Sequence, residues 1–180
     1  TPLPRTCAKS FMVKNAENSR PNLLDFTLEE MESFIAGLGK EKFRARQIMK
    51  WLHQKSASSF EEMTSLARDF REKLAGVARV TLPQIVQLQT SKDGTKKALL
   101  RLEDSLSMES VLIPGKNHWT ICISTQVGCA MGCKFCLTAR RGFKRNLTPA
   151  EIVGQLIVLK KETPEGPDIK NIVMMGMGEP

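Results

Sequence analysis

The stretch WTICISTQVGCAMGCKFC (residues 119–136), followed by TPAEIVGQLIVLKK (residues 148–161) and NIVMM (residues 171–175), decides the fold. Residues 119–124 form an apolar, β-branched run of strand type. Thr148, Pro149 and Glu151 place an N-cap, a proline at the first helical position and a capping-box glutamate in order. Ile152, Val153, Leu156, Ile157 and Leu159 continue with helical spacing, and Lys160 and Lys161 occupy the last turn. Gly166-Pro167 breaks the chain, and residues 171–175 read as a buried strand. Strand, cysteine loop, helix and strand make a βαβ unit with parallel strands and a right-handed crossover. Ligands of such units bind beyond the carboxyl ends of the strands. The cysteine loop and Gly176-Met177-Gly178-Glu179-Pro180 both stand at such ends, so they are expected to face one pocket.

Upstream, Ile85–Leu88, residues 97–102 and residues 107–113 read as strands. Asp93-Gly94 is a hairpin turn signal, Asp104-Ser105 separates the next pair, and Pro114-Gly115 precedes the strand at 119. Residues 27–80 read as three amphipathic helices. The first carries Leu28, Met31, Ile35 and Leu38 behind a Thr27/Glu30 capping box and ends at Gly37 and Gly39. The second puts Phe43, Ile48, Trp51 and Leu52 on one face. The third starts at a Ser59/Glu62 box, carries Phe60, Met63, Leu66, Ala67, Phe70 and Leu74, and stops at Gly76. A bundle this small is marginal alone and is expected to dock on something larger. Residues 1–26 lack periodicity and read as a tail.

The 180 residues hold 27 Lys+Arg against 19 Asp+Glu, for a formal net charge of +8, with 41% apolar and 26% charged residues. That is globular composition. No run reaches the ~18 apolar residues of a membrane span, and no secretion-type leader is seen, so a cytoplasmic chain is expected. The first residue is Thr1 and the last residues are Gly178-Glu179-Pro180, which reads as a cut through a motif. Residues 110–150 contain no Asp or Glu but hold Lys116, Lys134, Arg140, Arg141, Lys144 and Arg145. A second basic run is Lys40, Lys42, Arg44, Arg46, Lys50 and Lys55. An acid-free basic window points to a polyanionic partner, whereas the second run alone reads equally well as a solvated face.

Four of the five cysteines, Cys122, Cys129, Cys133 and Cys136, fall within fifteen residues, while Cys7 stands apart. Tight clustering favours metal or redox chemistry over a disulfide framework. Cys129-x3-Cys133-x2-Cys136 supplies three thiols at close spacing. Three thiolates on a [4Fe–4S] cube leave one iron free for a small chelating ligand. Gly128 and Gly132 suit a loop wrapped closely around a cluster, and Phe135 suits its edge. The competing reading is a structural zinc site completed by Cys122 or His118.

The Cys129, Cys133, Phe135 and Cys136 pattern resembles the signature of the radical S-adenosylmethionine superfamily. Glu109 with residues 110–114, Cys122 in its strand, residues 126–129 and residues 142–149 further resemble the RlmN-type adenine C2-methyltransferases of 23S ribosomal RNA and transfer RNA. The resemblance implies a fold of α+β type at the N-terminus (three-helix bundle plus short β connector), followed by the start of a truncated α/β partial TIM-type radical-SAM barrel. It divides the chain into a tail (1–26), a helical RNA-binding domain (27–80), a β connector (81–118) and a first βαβ part of the barrel (119–180). It implies that Cys129, Cys133 and Cys136 hold a [4Fe–4S] cluster and that its open iron chelates S-adenosyl-L-methionine. Gly178 and Glu179 would contact the methionyl amino group of that cofactor. It further implies a methyl group carried on a cysteine beyond the present chain, a covalent RNA adduct, and resolution of that adduct by Cys122 through a disulfide. Either Glu109 or Cys122 would take the C2 proton. An external electron donor such as flavodoxin, no membrane and a monomeric enzyme complete the expectation, with this portion inactive alone. Two alternatives stay open: an adenine C8-methyltransferase of the antibiotic-resistance type, and a zinc-containing RNA-binding module.

Overall fold

The computed structural model describes residues 20–163 and 166–179. Cys7, most of the expected tail, and Pro180 lie outside the described residues.

The helical part begins before residue 27. Leu23–Asp25 forms a short 3-10 turn in which Leu23 and Leu24 are buried. Asn22 holds it in place, accepting from the Leu24 N–H at 3.2 Å and donating to the Thr81 carbonyl at 3.1 Å. Helix α1 (Leu28–Gly37) carries the expected capping box, with Glu30 N–H donating to Thr27 Oγ1 at 3.3 Å and Thr27 N–H to Glu30 Oε2 at 2.8 Å. Met31 and Ile35 are buried, but Leu28 is 38% exposed. Gly39 turns the chain at φ +72°. Helix α2 (Phe43–Met49) runs on as a π turn (Lys50–Gln54). Ile48 and Leu52 enter the core, whereas Phe43 is 51% exposed beneath the Arg44 guanidinium.

The third helix differs from its expected start. Helix α3 spans Arg68–Val77, not a helix from Ser59. Glu62 pairs with Ser58, whose hydroxyl and N–H donate to Glu62 Oε1 at 2.6 and 3.2 Å. Successive three-residue turns (Met63 N–H to Phe60 carbonyl, Leu66 N–H to Met63 carbonyl) then bury Phe60, Met63 and Leu66 without a helix. Ala67 is exposed, and α3 continues through Gly76.

The sheet is mixed, with order β1-β2-β3-β4-β7. Its strands are β1 (Gln84–Thr90), β2 (Lys96–Arg101), β3 (Ser107–Pro114), β4 (Trp119–Cys122) and, after the intervening elements, β7 (Ile169–Val173). The first four pair antiparallel in sequence, and β4 pairs parallel with β7. Helix α5 (Pro149–Lys161) is the crossover, with the expected Thr148/Glu151 capping box. Its apolar residues face two ways. Ala150, Val153 and Ile157 join the helical core with Leu23, Ile48 and Leu74. Ile152, Leu156 and Leu159 join the sheet core with Leu100, Leu112 and Ile121. Asp25 completes the junction by accepting the Ala150 N–H at 2.8 Å.

The strand expected at 171–175 runs two residues earlier, and it is not buried. Ile172 is 54% exposed, and Met174 and Met175 after it are 56% and 76% exposed. Among the described residues β7 is an edge strand, paired on one side only.

Candidate functional site

The cysteine loop is closed at its base by a two-stranded ribbon, β5 (Gln126–Val127) against β6 (Arg145–Asn146). Lys144 N–H donates to the Val127 carbonyl and Leu147 N–H to the Thr125 carbonyl, both at 2.9 Å. Gly128 sits at φ +78°, and a Cβ there would lie 1.8 Å from the Gly142 carbonyl oxygen, so the two loop ends touch backbone to backbone. Gly132 turns the loop between Cys129 and Cys133 at φ +66°. Cys136 precedes the short helix α4 (Leu137–Arg140). Cys129 and Cys136 are half-buried and Cys133 is exposed. The Ala139 backbone N–H, aided by the Thr138 N–H and hydroxyl, holds the Cys136 thiol below its ordinary value against a smaller desolvation. That favours the thiolate, which is the metal-binding form. Phe135 is 92% exposed and Met131 64%.

The base of the cysteine loop and the segment after β7 are joined by hydrogen bonds. The Met177 carbonyl accepts the Thr125 N–H at 2.9 Å and the Gln126 N–H at 3.1 Å. The Gln126 side chain reaches both ways, donating to the Glu179 carbonyl at 3.2 Å and accepting the Glu179 N–H at 3.4 Å. Gly178 adopts φ +104°, with its missing Cβ position 2.6 Å from Gln126 Cβ. Glu179 is exposed.

Glu109 and Cys122 lie on one face of the sheet. Cys122 stands opposite Val111, and Glu109 is two residues from Val111 on the same strand. The alternate residues Met108, Ser110 and Leu112 are buried on the other face. Glu109 Oε1 lies 3.4 Å from Lys97 Nζ. Beneath this face is a polar cluster that sequence reasoning missed: Ser110, Ser124 and Gln155, each fully buried and hydrogen-bonded together. Its signal in the sequence is one glutamine inside the apolar run of α5.

The residues fit an iron–sulfur group in kind: three thiols, no competing acid in the loop, and glycines at the turns. Among the described residues no three His, Cys, Asp or Glu side chains converge tightly enough to hold a single metal ion. His118 stands before β4, separated from the loop by a strand of roughly 13 Å, and its Nε2 lies 3.1 Å from Asn171 Nδ2. It does not complete a zinc site with the loop thiols.

The acid-free window is less uniformly basic in three dimensions. Arg145 is held by Glu151 through two bonds of 2.7 and 2.8 Å and by Asp104 at 2.7 Å. These bonds raise its already high pKa, the Glu151 bonds most. Lys134, Arg140, Arg141 and Lys144 remain exposed. In the helical part, Arg46 lies 3.8 Å from Glu32 and Lys55 stacks 3.7 Å over the Trp51 ring. Trp51 donates its indole N–H to Ser65 at 2.7 Å. Among the described residues no helix is long and apolar enough to cross a membrane.

Residues 21–80 match the family described as ribosomal RNA large subunit methyltransferase N-terminal domain. The chain is 64% identical over 162 residues to a dual-specificity RNA methyltransferase RlmN of Syntrophus aciditrophicus, covering 90% of this chain and 47% of that protein. A protein of the same description from Geotalea uraniireducens is 52% identical, with 88% and 45% covered. The crystal structure of a radical SAM methyltransferase from Sphaerobacter thermophilus superposes with a TM-score of 0.82 at 41% identity, covering 89% of this chain and 48% of that one. The chain thus spans about half the length of the relatives it matches.

Proposed function

We propose a function from one premise: the chain belongs to the RlmN family of RNA methyltransferases. In this reading it forms part of a radical S-adenosylmethionine enzyme that methylates carbon 2 of adenine in 23S ribosomal RNA and transfer RNA. Helices α1 to α3 act as a bundle that grips RNA, β1 to β3 as a connector, and β4, α5 and β7 as the start of a partial TIM-type barrel. The observation that carries the reading is the joining of the cysteine loop to the Gly178-Glu179 segment across Gln126.

Cys129, Cys133 and Cys136 hold the [4Fe–4S] cluster, and Gly178 and Glu179 meet the amino group of S-adenosylmethionine, a carboxylate being a natural partner for an ammonium. When bound, the two cofactors supply a 5′-deoxyadenosyl radical, which suits a carbon that is neither acidic nor nucleophilic. Glu109 or Cys122 receives the C2 proton; the two share one face of the sheet, which supports their acting in the same site. Cys122 would then attack the sulfur of the methyl-carrying cysteine, forming a disulfide as that sulfur's bond to the transferred carbon breaks; the carbon keeps the electron pair, gains a proton and stays on adenine C2 as the methyl group. The target base leaves its stack to reach these groups. An external reductant, a monomeric state and a cytoplasmic location belong to the same proposal.

Anaerobic reconstitution of the full-length enzyme is expected to give about four iron with matching sulfide per chain. Mass mapping is expected to place the product methyl on adenine C2. Cys122→Ala is expected to trap a covalent protein–RNA adduct. One zinc without sulfide overturns the cluster, and a methyl at C8 overturns the regiochemistry.

A further inference from the structure

We propose that Ser124 and Gln155 are positioning residues for cofactor binding, acting through the backbone on either side of the site; this rests on the function proposed above. Ser124 is fully buried at the exit of β4, between Cys122 and the cysteine loop. Its hydroxyl donates to the Glu109 carbonyl at 2.6 Å and accepts the Met177 N–H at 2.8 Å. One side chain therefore ties the strand of the proposed proton acceptor to the residue before Gly178-Glu179.

Gln155 fixes Ser124 in turn. Its Oε1 accepts the Ser124 N–H at 2.8 Å and the Ser110 hydroxyl at 2.5 Å. Its Nε2 donates to the Ser124 carbonyl at 2.9 Å and to the Glu151 carbonyl at 3.3 Å. β3, the β4–β5 link, α5 and the segment after β7 thus meet at one amide and one hydroxyl. Gly176 packs against the same point, where a Cβ would lie 2.7 Å from Ser124 Oγ and 2.6 Å from the Ile123 carbonyl oxygen.

An apolar residue at 155 would fill the same volume between the two cores. A buried polar cluster is costly unless every member is paired, so its full pairing here specifies geometry more than it adds stability. What it specifies is the relative placement of Glu109 and Gly178-Glu179. Both residues must engage one cofactor–substrate assembly, and misplacement by an ångström is expensive in rate.

The test uses the full-length, cluster-reconstituted enzyme. Ser124→Ala leaves the Met177 N–H and the Glu109 carbonyl without their partner. It is expected to raise the S-adenosylmethionine dissociation constant roughly tenfold, the change that about 1.4 kcal/mol of lost preorganisation of the site would give. It is also expected to weaken the cofactor-induced change in the electron paramagnetic resonance spectrum of the reduced cluster, with iron content and RNA affinity unchanged. Gln155→Met keeps most of the volume and buries no charge, but loses both the acceptor and the donor. It is expected to shift both readouts in the same direction, and it carries the test if Ser124→Ala does not fold. Wild-type cofactor affinity in both variants overturns the proposal. So does a loss that runs in parallel through iron content, RNA affinity and cofactor affinity, which marks a general structural role. A wild-type enzyme that binds neither cluster nor S-adenosylmethionine overturns the functional reading itself.

Discussion

Gly128→Ala tests whether the loop base is a backbone-to-backbone clasp. The residue sits at φ +78°, and the new Cβ would lie 1.8 Å from the Gly142 carbonyl oxygen, where real Cβ atoms stay beyond 3.0 Å. The left-handed backbone costs about 1–2 kcal/mol for alanine. Overpacking against an immobile group adds about 1–3 kcal/mol. The closure opposing this strain is small: the Lys144–Val127 and Leu147–Thr125 bonds contribute about 1 kcal/mol each. Strain therefore matches or exceeds closure, and the ribbon should open instead of shifting the carbonyl. Gly132→Ala is the control, because its φ is +66° with nothing within 4 Å of the new Cβ. It carries only the backbone cost. Anaerobic iron and sulfide analysis is expected to show Gly128→Ala holding less than half the wild-type cluster, with Gly132→Ala well above it. Equal loading of Gly128→Ala and wild type refutes the clasp.

Asp25→Ala removes the acceptor of the Ala150 N–H and is expected to cost about 1 kcal/mol in denaturant unfolding, in the range of a lost helix cap. Arg145→Gln breaks a fork shared by Glu151 and Asp104; with the arginine 31% exposed the cost is discounted to about 2 kcal/mol, read from the same unfolding curves. Glu30 has its carboxyl held below the ordinary carboxylate value by the Thr27 N–H first and the Thr27 hydroxyl second. A depressed folded value means that its contribution is complete above the ordinary carboxylate value and disappears as pH falls through the folded one. Glu30→Gln keeps the capping geometry but loses the carboxylate, so it is expected to lower neutral-pH stability slightly and to flatten the fall of stability below the ordinary carboxylate value.

Local chemistry explains what was legible. The boxes at Thr27/Glu30 and Thr148/Glu151 and the strands around Asp93-Gly94 depend on neighbours in sequence, and they formed as read. The start of α3 did not, because Ser58 and Ser59 are both plausible partners for Glu62. Phe60, Met63 and Leu66 recur every three residues, a spacing that 3-10-like turns and an α-helix share over so short a span. Leu23 and Leu24 escaped because the turn is held through the Leu23 N–H to the Arg79 carbonyl and the Asn22 side chain to the Thr81 carbonyl, more than fifty residues away. β7 was misread as buried because an apolar run states what a strand can cover, not whether a neighbour arrives. The turns at Gly128 and Gly132 were legible for the same reason as the caps. Gln155 was not, since a lone glutamine in an apolar helix acquires meaning only from Ser110 and Ser124, 45 and 31 residues away.

Charge shows the same limit, and it sets the last prediction. A window of sequence counts Arg145 among the cations, but the fold brings Asp104 from 41 residues away and Glu151 from the next helix to neutralise it. The cations left at the loop are Lys134, Arg140, Arg141 and Lys144, all exposed. If that loop meets RNA, phosphate contacts belong to these four. Each one that neutralises a phosphate of single-stranded target should contribute about 0.7 to the slope of log affinity against log salt. Arg141→Gln is therefore expected to lower the slope by roughly that amount. Arg145→Gln, despite its larger cost in stability, should leave the slope unchanged when binding is measured well below the unfolding transition. A slope that falls equally for both variants means the Arg145 fork opens to RNA, and the assignment of the window's free charge to the loop is then wrong.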